Sequence, residues 1–309
     1  MNYSIVFPGQ GSQSIGMLSD LSSNFSIVSE IFQEASDALG VDLWKIAQED
    51  QEALNLTENT QPIMLAAGYA TYKVLSNEVK LLPVCMAGHS LGEYTALVAS
   101  ESLNFFDAVK LVRRRAEIMQ SAVPSGTGAM AAILGLDDEK VIEICTQSNI
   151  SGVVEAVNFN SPGQVVIAGE KEAIKSACES MKEAGAKRAL VLPVSVPSHC
   201  SLMNDAAQEF SHSVDAMNFK MGETRVLHNI DASYADDANE IKLKLVGQLC
   251  KPVLWTSSVQ KMQQLGVEKL IELGPGKVLA GLTRRIDKSL SSFAVIDTAT
   301  LQSTIEEIE

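Results

Sequence analysis

Gly88-His89-Ser90-Leu91-Gly92 lies between an apolar run, Leu81 to Met86, and a small-residue helical segment, Leu91 to Ser100. Strand, sharp Gly-x-Ser-x-Gly turn and helix in that order form a nucleophile elbow. The two glycines remove side chains where strand and helix cross, so the serine backbone takes a strained turn that lifts its hydroxyl clear. The helix start leaves the Leu91 N–H free beside that hydroxyl. The stretch therefore offers an attacking oxygen on Ser90 and half of an oxyanion hole at Leu91.

A serine hydroxyl needs a base, which directs attention to the four histidines, His89, His199, His212 and His228. His89 adjoins Ser90 in the turn and projects its ring away from the hydroxyl, which suits a structural or substrate-contact role. His212 falls mid-helix and His228 at a strand end, where structural roles are expected. His199 follows a proline- and serine-rich loop, Pro193 to Ser198, of the kind that holds catalytic groups. Hydrolases with such an elbow place an acid between serine and histidine in chain order. Here the candidates, Asp137 and Asp138, sit at a helix start, where capping is their expected job. A backbone carbonyl is left to orient the imidazole.

Arg113, Arg114 and Arg115 separate on a helical wheel. Arg114 points away from the apolar arc formed by Phe105, Ala108, Val109, Leu111, Val112, Ala116, Ile118 and Met119, and Arg113 lies outside its edge. Arg115 falls within the arc. An inward guanidinium needs a carboxylate or several carbonyls, so either a structural acid lies there or the site awaits an acidic substrate. Gly9-Gln10-Gly11 follows a strand, but Gly16 has the wrong spacing for a dinucleotide fingerprint. The loop suits donation of a second oxyanion N–H instead.

The elements that must position these groups alternate. Strand Tyr3 to Phe7, helices Ile27 to Leu39 and Gln61 to Ser76, strand Leu81 to Met86 and helix Asn104 to Ala122 imply a parallel sheet covered on both sides. After Pro124-Ser125-Gly126-Thr127-Gly128 the pattern becomes strand, helix, strand, strand, helix, strand as far as Leu192, the split β-α-β order of a ferredoxin-like unit. Beyond His199 the first pattern resumes. It has a helix near Leu202 to Met217, a strand at Arg225 to Asn229, a helix from Ala238 to Cys250, a strand at Lys269 to Leu273 and a basic helix from Lys277 to Ile286. The acidic tail, Ser303 to Glu309, is expected to fray or be disordered.

The 309 residues suffice for a large domain with an insertion. With 24 Lys and Arg against 38 Asp and Glu, the net charge of −14 argues against a nucleic-acid or anionic-membrane binder. The first ten residues lack a signal-peptide pattern, and no apolar run is long enough to span a membrane, so the cytoplasm is the expected location. Five scattered cysteines with no C-x-x-C pair suggest neither a disulfide framework nor a metal site. Cys200 adjoins His199, but neighbours on an extended segment face opposite ways.

Several stretches together resemble the malonyl-CoA:acyl carrier protein transacylases of bacterial fatty-acid synthesis. They are Phe7 to Gln13, Gly88 to Tyr94, Arg115, Asn158 with Asn160, Pro197-Ser198-His199, and Gln248 near Pro252 and Trp255. The likeness runs from Ile5 to about Ile286. It implies an α/β-hydrolase-like large subdomain with a parallel sheet (1–125 and 197–309) and an inserted ferredoxin-like small subdomain (126–196). It further implies a ping-pong acyltransferase in which Ser90 is the nucleophile and His199 the base. Gln10 and Leu91 N–H groups would hold the oxyanion, and the Gln248 carbonyl would orient His199. Arg115 would grip the malonyl carboxylate, with His89, Met119, Asn158, Asn160 and Ser198 lining the substrate pocket. Expected partners are malonyl-CoA and the phosphopantetheine thiol of acyl carrier protein, with no bound cofactor or metal, and the chain is expected to act as a monomer. Lys187, Arg188, Lys277, Arg284 and Arg285 are candidate contacts for the acidic carrier. A polyketide or tailoring acyltransferase of the same family, a serine acyl hydrolase and a non-enzymatic acyl-binding protein are the competing readings.

Overall fold

The computed structural model describes residues 2–124, 126–147, 150–194 and 196–308. Ser125 in the glycine-rich junction, Ser195 in the loop before His199, and Glu309 at the end of the acidic tail lie outside the described residues.

The first segment holds β1 (Tyr3–Phe7), α1 (Ser19–Asn24), α2 (Ser26–Leu39), α3 (Leu43–Glu49), α4 (Gln51–Asn55), α5 (Thr57–Glu78), β2 (Met86–Gly88), α6 (Gly92–Ala99) and α7 (Phe105–Ser121). The second holds β3 (Gly128–Leu134), α8 (Asp138–Cys145), β4 (Val154–Ser161), β5 (Gln164–Glu170), α9 (Lys171–Glu183) and β6 (Arg188–Val191). The third holds α10 (Asn204–Asp215), β7 (Val226–Leu227), α11 (Ala238–Gln248), α12 (Trp255–Gln264), β8 (Lys269–Leu273), α13 (Val278–Ile286), β9 (Ser291–Val295) and α14 (Thr298–Ile308).

Strands of the first and third segments form one parallel sheet in the order β7-β2-β1-β8-β9. Central β1 is buried at every position because its side chains alternate between two cores. Ile5 and Phe7 pack with α2, α5 and α7, while Val6 packs with Trp255, Leu270 and Leu279. Strands of the second segment form an antiparallel sheet in the order β4-β5-β3-β6, the ferredoxin-like arrangement. One face of this sheet packs Ala131, Ile133 and Ile167 against α8 and α9. The other turns Met130, Val166 and Ala168 toward Cys200 and Leu202. The two units join where Phe159 N donates to the Val253 carbonyl at 3.0 Å and Val253 N to the Val157 carbonyl at 2.8 Å.

Local chemistry sets the helices beneath the site. Asn104 caps α7 by accepting from Asp107 N. Pro62 inside α5 has no N–H for the Glu58 carbonyl, and Arg113 donates to that carbonyl at 3.2 Å. This contact ties α5 to α7.

Three expectations change. The strand before the elbow is Met86–Gly88 rather than Leu81 to Met86. Val84 N still donates to the Tyr3 carbonyl at 2.8 Å, but Leu82 points to solvent, 70% exposed. The acidic tail is ordered helix through Ile308, because Leu301 and Thr304 are buried and Lys269 Nζ pairs with Glu307 at 2.6 Å. Asp137 occupies the N-cap of α8 but makes no side-chain cap bond. Among the described residues no helix is long and apolar enough to cross a membrane.

Candidate active site

The ends of β1, β2 and β7 converge at one edge of the parallel sheet, the edge where such sheets bind ligands. A Cβ on Gly88 would overlap the Gly92 main chain, and one on Gly92 would overlap the Phe7 carbonyl. Only glycine lets strand and helix meet this closely. Between them Ser90 takes a left-handed conformation with φ 50°, a strained state for a residue with a side chain. Two side chains hold it: Asn229 Oδ1 accepts from Ser90 N at 2.7 Å, and Gln248 Nε2 donates to the Ser90 carbonyl at 3.0 Å.

Ser90 Oγ lies 2.8 Å from His199 Nε2, and His199 Nδ1 lies 2.6 Å from the Gln248 carbonyl. A carbonyl only accepts, so Nδ1 carries the proton and Nε2 presents its lone pair to the serine O–H. His199 also has a left-handed backbone, φ 68°, and is 3% exposed. Burial, reinforced by the Arg115 charge, pushes its pKa down to about 3, against the opposing pull of the Gln248 carbonyl. The imidazole is therefore neutral at ordinary pH. Main-chain carbonyl, imidazole and hydroxyl form a relay without a carboxylate.

Arg115 is the one buried arginine of its run; Arg114 is exposed and pairs with Glu209, and half-buried Arg113 pairs with Glu117. Its guanidinium donates to Gln61 Oε1 at 2.9 Å, Gln248 Oε1 at 3.0 Å and Ser90 Oγ at 3.3 Å. These acceptors are neutral. Nε has no partner, and no carboxylate pairs directly with Arg115 among the described residues. Burial pushes its pKa down, against the pull of Tyr94 and Glu93 nearby. Of the two alternatives left by the helical wheel, a structural acid in contact is absent among the described residues.

A cavity of about 450 Å³ opens in front of these groups, between the two units. Gln10, His89, Leu91, Met119, Asn158 and Ser198 line it with Ser90, Arg115 and His199. Among the described residues, no hydrogen bond takes up the main-chain N–H of Gln10 or Leu91. Among the described residues, Asn158 Oδ1 is buried without a partner. Asn160 stands behind the lining, its Oδ1 2.8 Å from His89 Nε2. That contact holds the His89 ring, and burial pushes its pKa down. Gln248 likewise lies behind the wall. Cys200 is buried, donates to the Pro197 carbonyl at 3.1 Å and has its thiol pushed up to about 12 by burial, which leaves it inert.

Sequence reasoning passed over Gln61, Glu93 and Asn229, and set His228 aside as structural. Glu93 had a signal: it is the one charged residue in an apolar helix, and all eight residues of α6 are buried. Gln61 and Asn229 carried none that a pattern search detects, because uncharged amides are common near helix starts and strand ends.

The acyl transferase domain family matches residues 4–301. The chain is 52% identical over 306 residues, covering 98% of each, to the malonyl CoA-acyl carrier protein transacylase of Haemophilus influenzae. The Escherichia coli K12 protein of that name is 50% identical over 305 residues, with 98% of this chain and 99% of that protein covered. Among solved structures, a Vibrio cholerae acyl carrier protein S-malonyltransferase superposes with TM-score 0.96 at 50% identity, covering 98% of this chain and 100% of that one. A malonyl-transacylase in complex with its type II polyketide acyl-carrier protein gives TM-score 0.98 at 48% identity, covering 99% and 100%. With its elbow, relay and inward arginine on the matching scaffold, the chain belongs to the acyl transferase family and, within it, to the malonyl-CoA:acyl carrier protein transacylases.

Proposed function

We propose that this chain moves a malonyl group from malonyl-CoA to the phosphopantetheine thiol of an acyl carrier protein through an ester on Ser90. As Ser90 Oγ attacks the thioester carbonyl, its proton passes to His199 Nε2. The carbonyl oxygen becomes negative and is received by the Gln10 and Leu91 N–H groups. Collapse breaks the C–S bond, and the imidazolium returns its proton to the departing CoA thiolate. In the second half-reaction His199 takes the proton of the carrier thiol, the sulfur attacks the ester carbonyl, and Ser90 leaves and is reprotonated. The Gln248 carbonyl keeps His199 in one tautomer throughout.

Arg115 grips the free carboxylate of the malonyl group by a charge-assisted, two-pronged contact. Residues 126–196 form one wall of the cleft, and residues 1–125 with 197–309 form the other. One chain carries every group used, which supports action as a monomer. The carrying observation is the 2.8 Å contact between Ser90 Oγ and His199 Nε2, facing a buried guanidinium whose acceptors among the described residues are neutral.

Intact-protein mass spectrometry tests the reading. Malonyl-CoA is expected to add one malonyl group, which persists in buffer and disappears on addition of holo acyl carrier protein. Loss to water at the same rate without the carrier would make the protein a hydrolase.

A further inference from the structure

Glu93 is fully buried, and among the described residues its one salt-bridge partner is His228 rather than Arg115. Three donors from three directions meet its carboxylate: His228 Nδ1 at 2.7 Å, Asn229 N at 2.9 Å and Gln248 Nε2 at 2.8 Å. A carboxylate only accepts, so it dictates which end of the Gln248 amide points inward. With Nε2 drawn to Glu93, the amide oxygen is left facing Arg115 at 3.0 Å. Carboxylate, amide and guanidinium form a hydrogen-bonded chain. The same amide N–H group steadies the Ser90 carbonyl, and Asn229, whose main chain Glu93 holds, accepts from Ser90 N and donates to the Gly88 carbonyl at 2.7 Å.

We propose that Glu93 is a positioning residue that sets selectivity for the malonyl group, by supplying the counter-charge of Arg115 at one amide's length through Gln248. The inference rests on Arg115 as the partner of the substrate carboxylate. A carboxylate in direct contact with Arg115 would compete with that substrate group. With no negative charge near it, the guanidinium would be costly to keep in the protein interior. Relaying the charge through an oriented amide avoids both: the arginine remains charged and open on the cavity side. Asn229 and Gln248 tie this charge balance to the strained serine, so the attacking atom and the specificity group share one anchor.

Glu93→Gln tests this in the full-length enzyme. A carboxamide brings a donor among three donors. His228 can meet that donor by moving its proton to Nε2, while a Gln248 amide that turns over aims its N–H group at Arg115; in either case the counter-charge of Arg115 is lost. Acylation by malonyl-CoA is expected to lose about tenfold or more relative to acylation by acetyl-CoA, mainly through a higher KM for malonyl-CoA. In an Arg115→Ala background, Glu93→Gln is expected to leave the malonyl-to-acetyl ratio where Arg115→Ala alone sets it. If Arg115→Ala itself leaves the ratio unchanged, the reading of Arg115 fails and this inference with it. If Arg115→Ala lowers the ratio while Glu93→Gln slows both substrates equally, Glu93 is only a scaffold and the proposal is overturned. Should Glu93→Gln not fold, Gln248→Met cuts the same relay and keeps the main-chain carbonyl that holds His199. It is expected to lower the ratio in the same way, and an equal loss for both substrates there overturns the proposal too.

Discussion

His199 must be neutral to take the serine proton, and its surroundings keep it so. Burial and the Arg115 charge lower its pKa to about 3 in the folded chain, below the ordinary value near 6.5. The first half-reaction, followed as CoA release at low substrate, is therefore expected to stay flat as pH falls from 8 to about 5. A falling limb at the ordinary histidine pKa would contradict this. The sign carries over to stability: the unfolded chain takes up the proton first, so folding is progressively penalised as pH falls from about 6.5 to about 3. Arg115 makes a second prediction at this scale. Acetyl-CoA offers the buried guanidinium no anion in place of the malonyl carboxylate, a penalty of about 3 to 5 kcal/mol. Arg115→Ala is expected to cut malonyl transfer on the order of a hundredfold or more and to raise acetyl transfer relative to it. Equal malonyl and acetyl rates before and after the change would remove its role. Ser90, His199 and the inward arginine were legible because each breaks a local rule: a serine between paired glycines, a histidine at a loop junction, a charge on an apolar arc. Gln61 and Asn229 break none, and they enter only once the fold brings distant amides together.

At the scale of elements, the close crossing of β2 and α6 has a stability consequence. A methyl group on Gly88 would meet backbone atoms of Gly92 and Glu93 rather than a side chain able to move. Gly88→Ala is expected to destabilise the chain by about 3 kcal/mol or more, measured as a lower denaturant midpoint with an unchanged slope. A midpoint within error of the parent would show that the crossing has room to relax. The elements of the small unit were read closely from sequence, since its strands and helices alternate in short, well-punctuated pieces. The strand before the elbow was displaced because Leu81 to Met86 is apolar without being sheet; Leu82 and Val84 face solvent, and three residues from Met86 form the ladder. Strand β9 opens on two serines, and α12 and α14 show apolar faces diluted by polar residues. For these elements, packing against the sheet decides what local composition does not.

For the whole molecule, the cavity lies between two independently cored units, so what binds there couples them. A malonyl group on Ser90 supplies the anion that Arg115 lacks, while an acetyl group does not. The malonyl-enzyme is accordingly expected to melt at a higher temperature than the acetyl-enzyme, the difference reflecting one charge-assisted contact of about 1.5 to 3 kcal/mol. Identical melting temperatures would place the carboxylate elsewhere. The five basic residues named for the carrier, Lys187, Arg188, Lys277, Arg284 and Arg285, are all exposed on a chain of net charge −14. The general architecture followed from the change of pattern after Pro124 and its return beyond His199, while the contact of the two units through Val253 left no trace in local sequence. All of these effects depend on a covalent serine ester. Peptide mapping by mass spectrometry, after quenching the protein with malonyl-CoA, tests that ester most directly. The account predicts one malonyl group on the peptide containing Ser90, absent from Ser90→Ala. Label on another residue, or undiminished label in Ser90→Ala, would contradict it.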